Sequence, residues 1–122
     1  MSKNISVFFV TILVLVFTGC TNTPKPLYNW GDYVNTATNY GVNGHEKVVL
    51  EKHLAELEKI INESQSSDVR VAPGIYAEYA QILFETNKKE KARKYFILET
   101  QTYPESTKFI NRVILKLYGD VK

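Results

Sequence analysis

The chain has 122 residues, 44% of them apolar, with 15 Lys and Arg against 13 Asp and Glu and a single cysteine. That length corresponds to one small domain. The near-balanced charge lacks the strongly basic face of a dedicated nucleic-acid binder, and one cysteine excludes an internal disulfide framework or a cysteine-based zinc site.

Residues 1–19 read as a signal segment. Lys3 precedes Ile5–Phe17, a 13-residue stretch in which only Ser6 and Thr11 are not apolar. As a helix it covers about 20 Å, short of a bilayer core of about 30 Å, and it stops at the small residues Thr18-Gly19, the pattern of a cleavable signal. Phe17-Thr18-Gly19-Cys20 resembles the lipobox of bacterial lipoproteins, with Phe17 where Leu is usual. The resemblance implies cleavage between Gly19 and Cys20, a diacylglycerol on the Cys20 thiol and acylation of its new amine. An ordinary secretory signal with an incidental cysteine is the competing reading. Each buried methylene contributes ~0.8 kcal/mol, so one acyl chain binds marginally and two or three bind stably. A catalytic role for Cys20 is disfavoured, because no histidine lies near it in sequence to activate the thiol.

Removal of residues 1–19 takes Lys3 and changes the net charge from +2 to +1. Thr21, rather than Asp, follows the cysteine; the sorting rule of Gram-negative lipoproteins then implies the periplasmic face of the outer membrane. In a cell with one membrane the anchor is its outer leaflet. Residues 20–27 form a lipidated tether, and Thr21–Leu27 carries two prolines and no apolar period. Fully extended, it reaches about 23 Å, so the remainder, residues 28–122, sits close to the membrane.

From Trp30 the pattern becomes helical. Trp30, Tyr33, Val34, Ala37 and Tyr40 follow the spacing of one helix face, and Gly41–Gly44 breaks the run, with glycine available for a left-handed cap. Leu50, Leu54, Leu57 and Ile61 stripe a second helix, widened by Val49 and Ile60; Lys47, Glu51, Lys52, Glu56, Glu58 and Lys59 form its solvated side. Ser64–Asp68 reads as a loop. Pro73 suits the first turn of a third helix, which continues through Ile75, Tyr76, Tyr79, Ala80, Ile82, Leu83 and Phe84. After Asn87-Lys88-Lys89, a fourth helix shows Ala92, Tyr95, Phe96 and Glu99 and ends at Tyr103-Pro104. A fifth carries Phe109, Ile110, Val113, Ile114, Leu117 and Tyr118 and stops at Gly119. No segment with a strand period competes, so the fold class is all-α with about five helices.

Ala80, Ala92, Phe96 and Pro104 fall where a tetratricopeptide repeat starting at Pro73 wants small, small, aromatic and proline residues. The match covers residues 73–106, with Glu99 where the pattern prefers Ala. A generic helical hairpin is the alternative. Residues 30–66 resemble a more divergent unit, with Trp30 in the place of Tyr76, and the fifth helix would cap the array. Two units and a cap fall short of the three repeats usually needed, so a partner or self-association would complete the packing.

Pro26-Leu27-Tyr28 with Trp30-Gly31-Asp32-Tyr33, the segment Ala72-Pro73-Gly74-Ile75-Tyr76-Ala77-Glu78, and Tyr103-Pro104-Glu105-Ser106 together resemble a small uncharacterised bacterial lipoprotein family. Its members are tetratricopeptide-like and are often encoded beside a lipoprotein related to the curli secretion channel. The resemblance implies a non-catalytic cell-envelope lipoprotein that scaffolds or assembles a secretion or surface complex. An activator of peptidoglycan synthesis, or an enzyme in it, is the alternative.

The groove expected of such an array is lined by the first helix of each pair, here by Asn35, Ala77, Gln81, Phe84 and Glu85. Gln81 and Glu85, one turn apart, could hold a peptide backbone or a basic side chain. His45 and His53 are eight apart, too far for a helical zinc pair; they read as solvent-exposed, with a loose site including Glu46 or Glu56 as the alternative. Lys88–Lys94 nets +4 and reads as a solvated face with a Glu90–Lys94 pair, or as a contact for anionic headgroups. Tyr33, Tyr76, Tyr79 and Tyr95 are expected in the core, Tyr28 and Tyr40 at an interface. No cofactor is expected beyond the covalent lipid on Cys20. The expected partners are an envelope protein and the membrane, not nucleic acid.

Overall fold

The computed structural model describes residues 24–119. The signal segment, the Gly19–Cys20 junction and Thr21–Thr23 lie outside the described residues. Five α-helices follow in order: α1 Tyr33–Asn43, α2 Lys47–Gln65, α3 Ile75–Glu85, α4 Lys89–Thr102 and α5 Thr107–Tyr118, with a 3₁₀ turn at Pro104–Ser106 between the last two. The all-α expectation with five helices therefore holds. Two short strands not expected from the apolar period, β1 (Tyr28–Asn29) and β2 (Arg70–Val71), pair in parallel with Tyr28 opposite Arg70. Two residues are too few to show an alternation.

The core is densest in the α3–α4 hairpin. Ala80 and Ala92 are both completely buried, so the two helices approach without an intervening side chain, and Phe96, Tyr79 and Leu83 close around them against Leu57, Ile60 and Ile61 of α2. The hairpin turn is built on Asn87, the one non-glycine residue among those described with a positive φ (64°). Lys88 N–H donates to Leu83 O and Asn87 N–H to Phe84 O, the double bond of a Schellman cap, with Asn standing in for the usual Gly.

At the start of α3 the structure departs from the expectation that Pro73 opens the first turn. Pro73 lies just outside the helix, and Gly74 takes the N-cap position at φ 91°, in the left-handed region. No side chain of the segment itself caps the turn; Glu99 of α4 does so. Its Oε1 accepts the Gly74 N–H at 2.8 Å, and the carboxylate is only 2% exposed. Burial pushes the Glu99 carboxyl above its ordinary value, against the backbone N–H groups of Gly74, Ala77 and Tyr76 that favour its charge. Glu99, which departs from the repeat pattern, supplies the carboxyl acceptor that the α3 N-terminus lacks in its own segment.

α1 begins at Tyr33, not Trp30, and continues through Gly41–Asn43; the chain turns only at Gly44, which is right-handed (φ −63°) rather than left-handed. Trp30 lies before the helix and is 46% exposed, whereas Tyr76 in α3 is 6% exposed. Trp30 therefore does not occupy the place Tyr76 holds. What seats the start of α1 is Gly31, at φ 44°: a Cβ there would collide with Glu56 Oε1 and lie 2.9 Å from Ile60 Cγ1. Asp32 N–H donates to the same Glu56 oxygen at 2.7 Å.

The helices alternate in direction, and two long-range bonds fix the ends of the array. Tyr103 OH, after α4, donates to Val71 O in β2. Tyr118 OH, at the end of α5, donates to Lys89 O at the start of α4. One pole thus gathers the chain entry, β1, β2 and the beginnings of α3 and α5. The other holds the α1–α2 and α3–α4 turns. Replacing Glu99 with Ala removes the cap and leaves a buried gap, and should destabilise the protein by ~2 kcal/mol. Glu99→Gln keeps an acceptor and should cost less than ~1 kcal/mol; urea unfolding followed by circular dichroism compares the two.

Candidate functional site

The expected groove residues on α1 and α3 divide between surface and packed positions. Asn35 is exposed, and its Nδ2 donates to Asp32 Oδ1 at 2.6 Å. Ala77 is half-buried against the core. Gln81 and Glu85 are joined to each other, Gln81 Nε2 donating to Glu85 Oε1 at 2.7 Å. Phe84 does not face an open groove: it packs edge-on against Tyr118 of α5, with ring centroids 5.1 Å apart, and Lys89 Nζ lies 5.2 Å from its centroid. The structure thus brings Gln81 and Glu85 together, leaves Asn35 engaged at the start of α1, and takes Phe84 into the α3–α5 contact.

Behind this surface lies a polar cluster built on His53, a residue expected in solvent. His53 is completely buried, not exposed, because residue 53 shares the stripe of Leu50, Leu57 and Ile60. Its Nε2 lies 2.9 Å from Glu78 Oε1 of α3, and its Nδ1 lies 3.0 Å from Thr36 Oγ1 of α1. Tyr40 of α1 stacks on the imidazole at 5.0 Å, the planes 18° apart. Tyr33 OH donates to the second Glu78 oxygen at 2.8 Å. Partial burial raises the Glu78 carboxyl, but the hydrogen bonds from His53 and Tyr33 outweigh it, and the net direction is down. The ionised carboxylate only accepts, so His53 Nε2 carries a proton toward it. Burial first, then the bond to Glu78, pushes the Tyr33 phenol up to about 12. Burial likewise raises Tyr40, followed by the charges of Glu85 and Glu78. The α1–α3 surface is therefore acidic and aromatic. Tyr28, Tyr33, Tyr40 and Tyr95 are half-buried, and Tyr76 and Tyr79 are core. His45 is exposed before α2 and does not meet His53 in any shared site. Among the described residues no group of three or more His, Cys, Asp or Glu could hold a metal ion.

A second cluster joins α2 to the hairpin. Lys91 Nζ donates to Glu58 Oε1 at 3.0 Å and to Tyr79 OH at 2.9 Å, and Tyr79 OH donates to the same Glu58 oxygen at 2.8 Å. These bonds to Tyr79 and Glu58 hold the Lys91 ammonium above its usual range. A hollow of about 440 Å³ beside it is lined by Gln65, Lys91, Lys94, Tyr95 and Leu98. Among the described residues Glu90 and Lys94 form no ion pair. Within the basic run, Arg93 instead covers the Tyr118 ring at 5.6 Å. Periodicity cannot reveal a lysine and a glutamate 33 positions apart, and nothing in the sequence marks this pair.

The fold and these clusters define an all-helical array in which polar ties cross from helix to helix. The chain belongs to the family of a domain of unknown function, DUF4810, whose profile matches residues 27–113. No curated protein and no solved structure matches it.

Two predictions follow from the buried histidine. His53→Ala removes two buried hydrogen bonds and a stacked ring, and should destabilise the protein by ~3 kcal/mol, whereas His45→Ala should change stability by less than ~0.5 kcal/mol in thermal unfolding. The depressed Glu78 carboxyl makes a pH prediction. Its contribution is complete above the ordinary value of 4.5 and is lost as pH falls through the lower folded-state value. Glu78→Gln should therefore show a smaller loss of stability than the unmodified protein as the pH is lowered from 4.5 through that folded-state value.

Proposed function

We propose that this protein is a lipid-anchored envelope lipoprotein acting as a non-catalytic scaffold or assembly factor, its tetratricopeptide-like helices presenting a binding surface to a protein partner. Acylated Cys20 supplies the anchor to the periplasmic face of the outer membrane. The lipobox-like Phe17-Thr18-Gly19-Cys20 and the short proline-containing tether support this part.

The observation that carries the binding role is the α1–α3 surface, where Gln81 and Glu85 stand one turn apart beside Tyr40, with Glu78 behind. A carboxylate flanked by aromatic rings suits a basic side chain on an extended or helical segment. The closed state of His53 supports a non-catalytic role. Its ring is completely buried and both nitrogens are engaged, so it holds helices together rather than meeting a substrate.

Photo-cross-linkers placed at positions 81 and 85 in living cells test the binding surface. They should trap one discrete envelope protein, whereas a cross-linker at the exposed Lys52 of α2 should not. Glu85→Lys should lower the adduct from position 81 roughly tenfold, the loss of about 1.4 kcal/mol. No adduct, or equal adducts from all three positions, contradicts the scaffold reading. An adduct to a peptidoglycan synthase would turn it toward an activator.

A further inference from the structure

We infer that the pole of the array from which the tether leaves is a lipid-contacting surface, with Leu27, Trp30 and Val34 lying in the headgroup region of the bilayer. This rests on the proposed acylation of Cys20 and goes beyond it, because an anchor alone leaves the orientation of the folded part free.

Three observations carry the inference. The first is reach. Four residue steps separate Cys20 from Pro24, where the described chain begins, and at full extension they span about 14 Å. A lipid on Cys20 therefore holds this pole within about half the thickness of a bilayer core from the surface.

The second is composition. Leu27 is 66% exposed, Trp30 46% and Val34 69%, and all three lie within eleven residues of Pro24 along the chain. Large apolar side chains exposed within so short a stretch at the end of the tether are candidates for a contact surface, and tryptophan is enriched at the level of lipid headgroups, where its ring is apolar and its N–H stays wet. The Trp30 ring is propped by Tyr28 and Tyr33, with centroids 6.4 Å and 5.6 Å away. Beside it is a hollow of about 540 Å³ with Pro26, Tyr28, Trp30 and Val69 on its walls and Glu63 and Ser67 at its polar side. Phe109, 65% exposed in the first turn of α5, stands at the same pole.

The third is charge. Lys25 is paired with Asp68 at 3.2 Å, Glu63 accepts from Asn29 at 3.1 Å, and Arg70 lies over the Tyr103 ring at 5.3 Å. With Asp32, Glu105 and Lys108 the pole carries both signs in near balance. It therefore has no strong field for an anionic membrane, and its contact is apolar and interfacial.

Trp30 is the only tryptophan of the chain, so its fluorescence reports on this pole without a label. The test uses full-chain protein purified from membranes, its Cys20 acylation verified by intact mass, reconstituted into phosphatidylethanolamine–phosphatidylglycerol vesicles with or without brominated acyl chains. Vesicle flotation reads the anchor; quenching reads the pole. The protein should float, brominated lipid should lower Trp30 emission at least roughly twofold, and iodide in the water should quench it weakly. Leu27→Glu with Val34→Glu should restore emission without changing flotation. Floating protein whose Trp30 ignores bromine and is quenched freely by iodide overturns the inference while leaving the anchor standing, and directs the apolar pole to a protein. An unmodified Cys20 removes the anchor, and the inference with it.

Discussion

The attachment of α1 to the rest of the molecule depends on a buried polar tie. Helices normally join an array by burying apolar side chains, yet the one buried residue of α1 is Thr36. Thr36 meets His53 of α2, Tyr33 meets Glu78 of α3, and Tyr40 lies flat on the same imidazole. The imidazole bonds Glu78 in turn, so three helices converge on one ring. A satisfied network of this kind fixes geometry more strictly than an equal area of apolar contact, and each partner lost leaves another unsatisfied.

The α3–α4 hairpin is held by the opposite means. Its alanines and aromatics interdigitate in an apolar core, and polar groups close its ends: Asn87 at the turn, Glu99 under the N-terminus of α3, and Tyr103 on Val71. The molecule therefore has a densely packed half and a hydrogen-bonded half. The acidic, aromatic surface proposed to bind a partner lies where the two halves meet, between α1 and α3. Local opening concentrates where apolar burial is least, which is α1. A partner seated across α1 and α3 would add what that helix lacks.

Much of this was legible in the amino-acid order. The apolar spacing of residues 75–96 is strong enough to place two helices and the small residues at their contact, and Tyr103-Pro104 stops α4 where chain sterics require. Glu99 stood out as an exception, but its role needs the position of Gly74, 25 residues earlier, which no local pattern supplies. His53 carried a usable signal, since it falls on the stripe of Leu50, Leu57 and Ile60; reading it as polar and therefore exposed set side-chain type above position. Trp30 was drawn into α1 by its spacing, though Gly31, at φ 44° against Glu56 and Ile60, interrupts the helix there. The Lys91–Glu58–Tyr79 cluster and the two-residue strands arise from tertiary contact alone.

The most direct measurement of the central claim is native-state hydrogen exchange on Thr36→Val, which keeps the side-chain shape and deletes the hydroxyl that meets His53. The tie predicts that amides of α1 lose protection roughly tenfold, about 1.4 kcal/mol, while those of α4 are unchanged. Undiminished protection in α1, or a loss spread evenly over all five helices, would contradict it.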